Sequence, residues 1–222
     1  MSVRDGLARV RERIVAACAR AGRDPADVTL VAVSKRHPVE RVREAWEAGQ
    51  RVFGENYVQE LASKADAAAD LEGVEWRFIG HLQRNKAKLL ARPGVVVETV
   101  DSERLAAELD KRARAAGLVM PVLVQVNVGG EAQKSGCEPT ELDAILAATR
   151  GAAHLDVRGL MTIPPATDDP DDARPHFAAL RRLAEDRGLK QLSMGMSADL
   201  EAAVAEGATI VRVGTAIFGA RP

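Results

Sequence analysis

The stretch Val28-Thr29-Leu30-Val31-Ala32-Val33-Ser34-Lys35 (VTLVAVSK, residues 28–35) decides the fold. Its β-branched density marks a strand, and period-2 alternation puts Val31, Val33 and Lys35 on one face. The segment that follows, SKRHPVE at residues 34–40, is the discriminating part. A doubly wound open sheet calls for a Gly-rich GxGxxG turn after its first strand, and no glycine stands here. A closed barrel makes no such demand.

Outward from this strand the chain keeps one rhythm. Short apolar runs at 51–53, 75–79, 95–98, 121–127, 155–160, 191–193 and 210–213 alternate with Ala/Leu/Glu/Arg-rich helical patterns at 39–48, 57–71, 85–91, 103–116, 140–150, 171–186 and 198–205. Gly49, Gly117, Gly188 and Gly207 fall where helix C′ glycines belong. With a leading amphipathic helix before residue 23, the count is about eight βα units, the pattern of a single (β/α)8 barrel of the triosephosphate-isomerase type. Its 222 residues suffice for one such domain spanning residues 1–222. The segment PPATDDPDD at 164–172 reads as a long loop after the sixth strand, a candidate lid, rather than a linker.

Composition narrows the function classes. There are 31 basic and 32 acidic residues, so no electrostatic footprint for nucleic acid or an anionic membrane is expected. No stretch approaches the roughly 18 apolar residues of a membrane span, and the N-terminus carries charges of both signs rather than a signal-peptide core. A reducing, cytoplasmic setting is the default. Cys18 and Cys137 stand alone, without metal spacing, and read as incidental thiols. None of the four histidines has a ligand-type partner, which argues against a metal. His81 is the best placed of them; His37, His154 and His176 read as surface or packing residues.

Active groups in a barrel lie at the C-terminal ends of the strands. If the Val31/Val33 face is the interior, Lys35 emerges at the barrel mouth, where burial and cationic neighbours would favour imine chemistry; a solvent-facing lysine at a strand end is the competing reading. The turns after strands seven and eight, MGMSAD at 194–199 and RVGTA at 212–216, open helices and fit the usual phosphate site of this fold. Ser197 would cap its helix and, with backbone N–H groups at Gly214 and Thr215, cradle a phosphate; ordinary capping explains the same residues. Alternation turns Arg212 inward, towards a ligand ring nitrogen, a carboxylate or an internal salt bridge. Tyr57, the only tyrosine, follows Asn56 in the second βα turn. Met161 ends strand six as core filling or as a surface for a flat ring.

The segments AVSK (32–35), FGENYVQE (53–60), WRFIGHLQRNK (76–86), GLMTIPP (159–165), LSMGMSADLEAAV (192–204) and VRVGTAIFG (211–219) together resemble the pyridoxal phosphate homeostasis protein family, also called the YggS or proline-synthetase-co-transcribed family. That family is in turn similar to the N-terminal barrel of alanine racemase, and the match runs in order over nearly the whole chain. The resemblance implies a barrel holding pyridoxal 5′-phosphate (PLP) as an internal aldimine on Lys35. Ser197, Gly214 and Thr215 would hold the phosphate, Arg212 would face the pyridine nitrogen, and Asn56 and Met161 would line the ring. It implies a cofactor buffer or carrier that serves apo PLP-dependent enzymes with negligible turnover, expected as a monomer. Alanine racemase takes its second acid/base, a tyrosine, from a further C-terminal β-domain. This chain ends at Pro222 after the eighth unit, so the expectation is that racemisation is incompletely equipped.

Two rivals stand beside this reading. One is a weak amino-acid racemase using His81 or Tyr57 as second acid/base. The other is a Schiff-base lyase in which Lys35 would capture a sugar-phosphate carbonyl. Lys86 and Lys134 are candidates for a second PLP site, with plain surface solvation as the alternative.

Overall fold

Eight short parallel strands close on one another in chain order, β1 pairing with β8 to complete the barrel. They are β1 (Thr29–Val33), β2 (Val52–Glu55), β3 (Glu75–Phe78), β4 (Val95–Val100), β5 (Met120–Gln125), β6 (Leu155–Met161), β7 (Gln191–Ser193) and β8 (Ile210–Val213). The computed structural model describes residues 2–131 and 135–220. A leading helix α1 (Val3–Ala21) is followed by α2 (Val39–Glu47), α3 (Val58–Ala67), α4 (Glu103–Ala115), α5 (Leu142–Arg150), α6 (Arg174–Glu185), α7 (Leu200–Ala205) and α8 (Thr215–Phe218). This is the (β/α)8 barrel with a leading helix that the strand rhythm calls for.

Local chemistry accounts for the ends. Ser2 caps α1 by accepting from the Asp5 N–H, and Ser102 caps α4 by accepting from Leu105. Gly49, Gly117, Gly188 and Gly207, expected at helix ends, all adopt positive φ. Outward-facing strand residues and the inner faces of the helices form one continuous apolar layer. A second, smaller cluster fills the barrel: Val31, Val33, Ile79, Val96, Leu123, Met161 and Ile210. Val31 and Val33 therefore face inward as alternation requires. Gly6 lets α1 lie against α8, since a Cβ there would come within 2.6 Å of the Ile217 carbonyl oxygen.

Three sequence readings are corrected. The segment expected as an α-helix at 85–91 is a 3-10 helix, Arg84–Leu90; its buried residues, Ala87 and Leu90, are three apart, the spacing at which 3-10 side chains eclipse. The helix after β2 stops at Ala67 instead of continuing to 71. Ser197 is not the N-cap of α7. Asp199 occupies that position, and its carboxylate accepts from the Met196 N–H at 2.6 Å, folding the turn back on itself.

Among the described residues no helix is long and apolar enough to cross a membrane, and no group of three His, Cys, Asp or Glu side chains comes together as a metal site. Both cysteines are buried and free. Burial pushes the Cys137 thiol up to about 12, and neighbouring carboxylates, Glu141 foremost, add to it, which makes this thiol unreactive.

Candidate functional site

Strand alternation and the eight βα turns bring the chemistry to one mouth. Register sets Val31 of β1 beside Arg212 of β8, and two residues further along each strand stand Val33 and Gly214. A Cβ on Gly214 would lie 3.0 Å from the Val33 carbonyl oxygen, so glycine lets the two turns approach closely. Above this layer opens a cavity of about 290 Å³ lined by Val33, Lys35, His37, Asn56, Ile79, Ile163, Met196, Ser197, Ala198, Arg212, Gly214 and Thr215.

Six of the seven residues singled out from the sequence thus share one cavity: Lys35, Asn56, Ser197, Arg212, Gly214 and Thr215. Met161 is placed elsewhere. It is fully buried in the apolar cluster inside the barrel, because its inward alternation at the end of β6 packs it among Val33, Ile79 and their neighbours rather than on the cavity wall. The two candidates for a second acid/base also fall outside the lining. Tyr57 is exposed and receives a hydrogen bond from Arg36 at 3.1 Å. His81 sits in a neighbouring depression with Ser135 and Gln125. Lys86 is half-buried on the 3-10 helix, and Lys134 lies outside the described residues.

Arg212 is buried, and its guanidinium belongs to a polar column that crosses the barrel interior. Nη1 donates to Ser193 Oγ at 2.6 Å and Nη2 to the Thr162 carbonyl at 2.8 Å. Ser193 donates in turn to Glu98, whose other oxygen pairs with Arg77 at 2.8 Å, and Arg77 also reaches Glu75. Desolvation makes the Arg212 guanidinium more acidic than usual, with Glu98 and Asp199 opposing that shift; an arginine keeps its proton regardless. Another part of the lining, Ser197, Ala198, Gly214 and Thr215, consists of main chain and hydroxyls just before α7 and at the start of α8, where the first helical N–H groups lack intrahelical partners. Arg13 of α1 holds this part from outside, donating to the Ser197 carbonyl at 2.9 Å and pairing with Glu201.

Sequence reasoning missed four walls. His37 is buried, with its ring 5.4 Å from that of Phe218, and it borders the cavity instead of lying on the surface. Its signal was its place two residues after Lys35 in the same βα turn. Ile79, Ile163 and Met196 add an apolar lining, the last two partly solvent-exposed at the rim. Among the residues that line the cavity, Asn56 carries a buried side-chain atom with no hydrogen-bond partner, its Oδ1. An orphaned acceptor of this kind calls for a donor on a bound ligand, while the Lys35 amine and the Arg212 guanidinium suit an anionic or electron-rich part of it.

The family model described as alanine racemase, N-terminal domain, matches residues 6–222. The pyridoxal phosphate homeostasis protein of Pseudomonas aeruginosa is 49% identical over 99% of this chain and 96% of its own length. That of Aquifex aeolicus is 46% identical over 100% and 99%. Among solved structures, PipY of Synechococcus elongatus PCC7942 with PLP bound superposes at a TM-score of 0.84, with 36% identity over 98% of this chain and 100% of that one. An alanine racemase from Clostridium difficile shares the fold at a TM-score of 0.74 and 15% identity, this chain spanning 57% of it. With these matches running end to end, the chain belongs to the pyridoxal phosphate homeostasis protein family, on the barrel of the alanine racemase N-terminal domain.

Proposed function

We propose that this protein holds PLP through an imine on Lys35 and serves as an intracellular buffer or carrier of the cofactor, with negligible turnover. The observation that carries this reading is the meeting of Lys35, Arg212 and the Ser197/Gly214/Thr215 turns around one cavity. The name of the relatives and the PLP-bound PipY support it. When bound, PLP supplies an aldehyde carbon that an amine captures, with loss of water, and a ring that can draw electrons from that carbon. Lys35 provides the amine. Arg212, a permanent cation, would donate to the pyridine nitrogen and keep it unprotonated, which weakens the ring as an electron sink and disfavours turnover. Ser197, Gly214 and Thr215 offer a hydroxyl and main-chain N–H groups to the phosphate, and Asn56 offers its unpartnered oxygen near the ring. The whole barrel acts as one cofactor-binding domain. Its recipients are apo PLP-dependent enzymes, it works as a monomer in the cytoplasm, and its balanced charge gives it no role with nucleic acid or membrane.

The test is a visible absorption spectrum of wild type and Lys35→Ala after incubation with PLP. A yellow band that borohydride bleaches, and that the substitution abolishes, is expected. A wild type that takes up no PLP would overturn the reading and favour a Schiff-base lyase.

One observation favours a second reading, a weak racemase: His37 shares the cavity with Lys35. Inversion of an amino acid that His37→Ala abolishes would establish it.

A further inference from the structure

Lys35 is flanked by two residues whose main chain is gripped from outside the barrel. The Ser34 carbonyl accepts from Lys64 Nζ at 2.7 Å, and the Arg36 N–H donates to Glu60 Oε1 at 2.6 Å. Both gripping side chains stand on α3, one turn apart. Lys64 Nζ also reaches Glu60 at 2.8 Å and Glu55, on β2, at 2.6 Å. An ammonium has three donors, and these three acceptors use them all. Ser34 Oγ closes the circuit by donating to Glu55 at 2.7 Å. The middle of the cluster is out of water: the Lys64 side chain is 7% exposed and that of Glu55 0%.

The held turn is strained. Arg36 has φ of 63°, and it is the only non-glycine among the described residues with positive φ. An ordinary side chain adopts that left-handed conformation at a cost, and it persists where the surroundings over-determine it. A pair that merely joined α3 to β2 would have no need to reach the β1 main chain on both sides of one lysine.

We infer that Glu60 and Lys64, with Glu55 as the buried counter-ion of Lys64, are positioning residues for Lys35: they hold the turn at 34–37 in the strained form that presents its amine to the cavity. This rests on the reading of Lys35 as the residue that captures PLP. Glu60 and Lys64 touch no ligand and act only through the backbone. Released, the turn relaxes and the amine spreads over several directions, so capture becomes slower and hydrolysis of the bond faster.

The experiment titrates PLP into wild type, Glu60→Gln, Lys64→Met and a remote core control, Leu109→Ala in α4. It reads the visible band, then fixes the bond with borohydride and locates the label by peptide mass. Loss of a charged hydrogen bond should raise the PLP needed for half-saturation about tenfold in Glu60→Gln and further in Lys64→Met. Part of the label should move off Lys35 in both. Leu109→Ala should lower the melting temperature and leave the titration alone. Glu60 is 22% exposed at its side chain and glutamine keeps its shape, so Glu60→Gln decides the matter if Lys64→Met does not fold. Wild-type titrations in both variants, or an equal shift in Leu109→Ala, would overturn the inference while the cofactor reading stands. A wild type with no Lys35-dependent band would instead sink that reading and the inference with it.

Discussion

Lys35 and Arg212 line the same cavity, yet one is held through its main chain from outside the barrel and the other through its guanidinium from within. Behind Lys35, the Ser34–Glu55–Lys64–Glu60 cluster lies between the sheet and α3 and ties down backbone. Beneath Arg212, the Glu75–Arg77–Glu98–Ser193 column crosses the barrel interior and ties down a side chain, link by link. The difference follows from chemistry. A lysine that must bond covalently has to keep its amine available for that bond, and a hold on the main chain at either side of it fixes the turn without occupying the amine. An arginine that must present donors can spend some of its five N–H groups on anchoring. Both devices bury charge, which is tolerable where pairing and hydrogen bonds meet it: Lys64 pairs with Glu55 and Arg77 with Glu98, while Arg212 donates to Ser193 and the Thr162 carbonyl.

The largest effect is expected at Glu98, in the inner column. Glu98→Leu removes the carboxylate that stands between Arg77 and Arg212, both buried. Taking one partner from a buried ionic network leaves an uncompensated charge, at a cost of about 3–5 kcal/mol. The denaturation midpoint in urea should fall accordingly with an unchanged slope. An unaltered midpoint would mean that the column is not a cooperative unit.

The outer cluster has a pH signature. Burial pushes the Glu55 carboxyl up to about 7 from 4.5, against the opposing pull of Lys64 and the Ser34 hydroxyl and with a smaller push from Glu60. The folded state therefore binds this proton more tightly than the unfolded chain does. The resulting stabilisation is complete below 4.5 and is lost as pH rises through 7. Glu55→Gln carries no such proton. The stability difference, wild type minus Glu55→Gln, should decline across that window by up to about 3 kcal/mol. Urea melts of the two proteins at a series of pH values measure it, and a flat difference would refute the assignment.

How far the sequence carried differs between these regions. The barrel was legible because β-branched runs recur with helical patterns between them, and period-2 alternation alone turned Lys35 and Arg212 inward. Boundaries were softer where no cap marks them, as at the end of α3. The outer cluster was not legible. Glu60 and Lys64 sit four apart on a helix, which reads as an exposed pair, and Glu55 alternates outward from its strand. Only the packing of α3 over β2 excludes water from them. His37, Ile163 and Met196 stand in loops, where no periodicity tells which way a side chain turns. The end of strand six left Met161 open between core filling and a surface for a flat ring, and its side chain is buried in the apolar cluster of the barrel interior.

The finest test compares two serines. Ser34 and Ser193 each donate to a buried glutamate, Glu55 and Glu98. Ser193 also accepts from Arg212, whereas the Ser34 hydroxyl makes its one bond at the edge of its cluster. Removing Ser193 Oγ strips an acceptor from a buried guanidinium as well as a donor from Glu98, so Ser193→Ala should cost about 2 kcal/mol, near the value for an orphaned charged group. Ser34→Ala loses one hydrogen bond and keeps the carbonyl that Lys64 grips, so about 1 kcal/mol is expected. Equal losses in urea melts would mean that Ser193 does not transmit the hold on Arg212, and that Thr162 and the barrel wall suffice. A larger loss at Ser34 would mean that the outer cluster depends on the hydroxyl to keep Glu55 in place, making the side chain of that turn as important as its backbone.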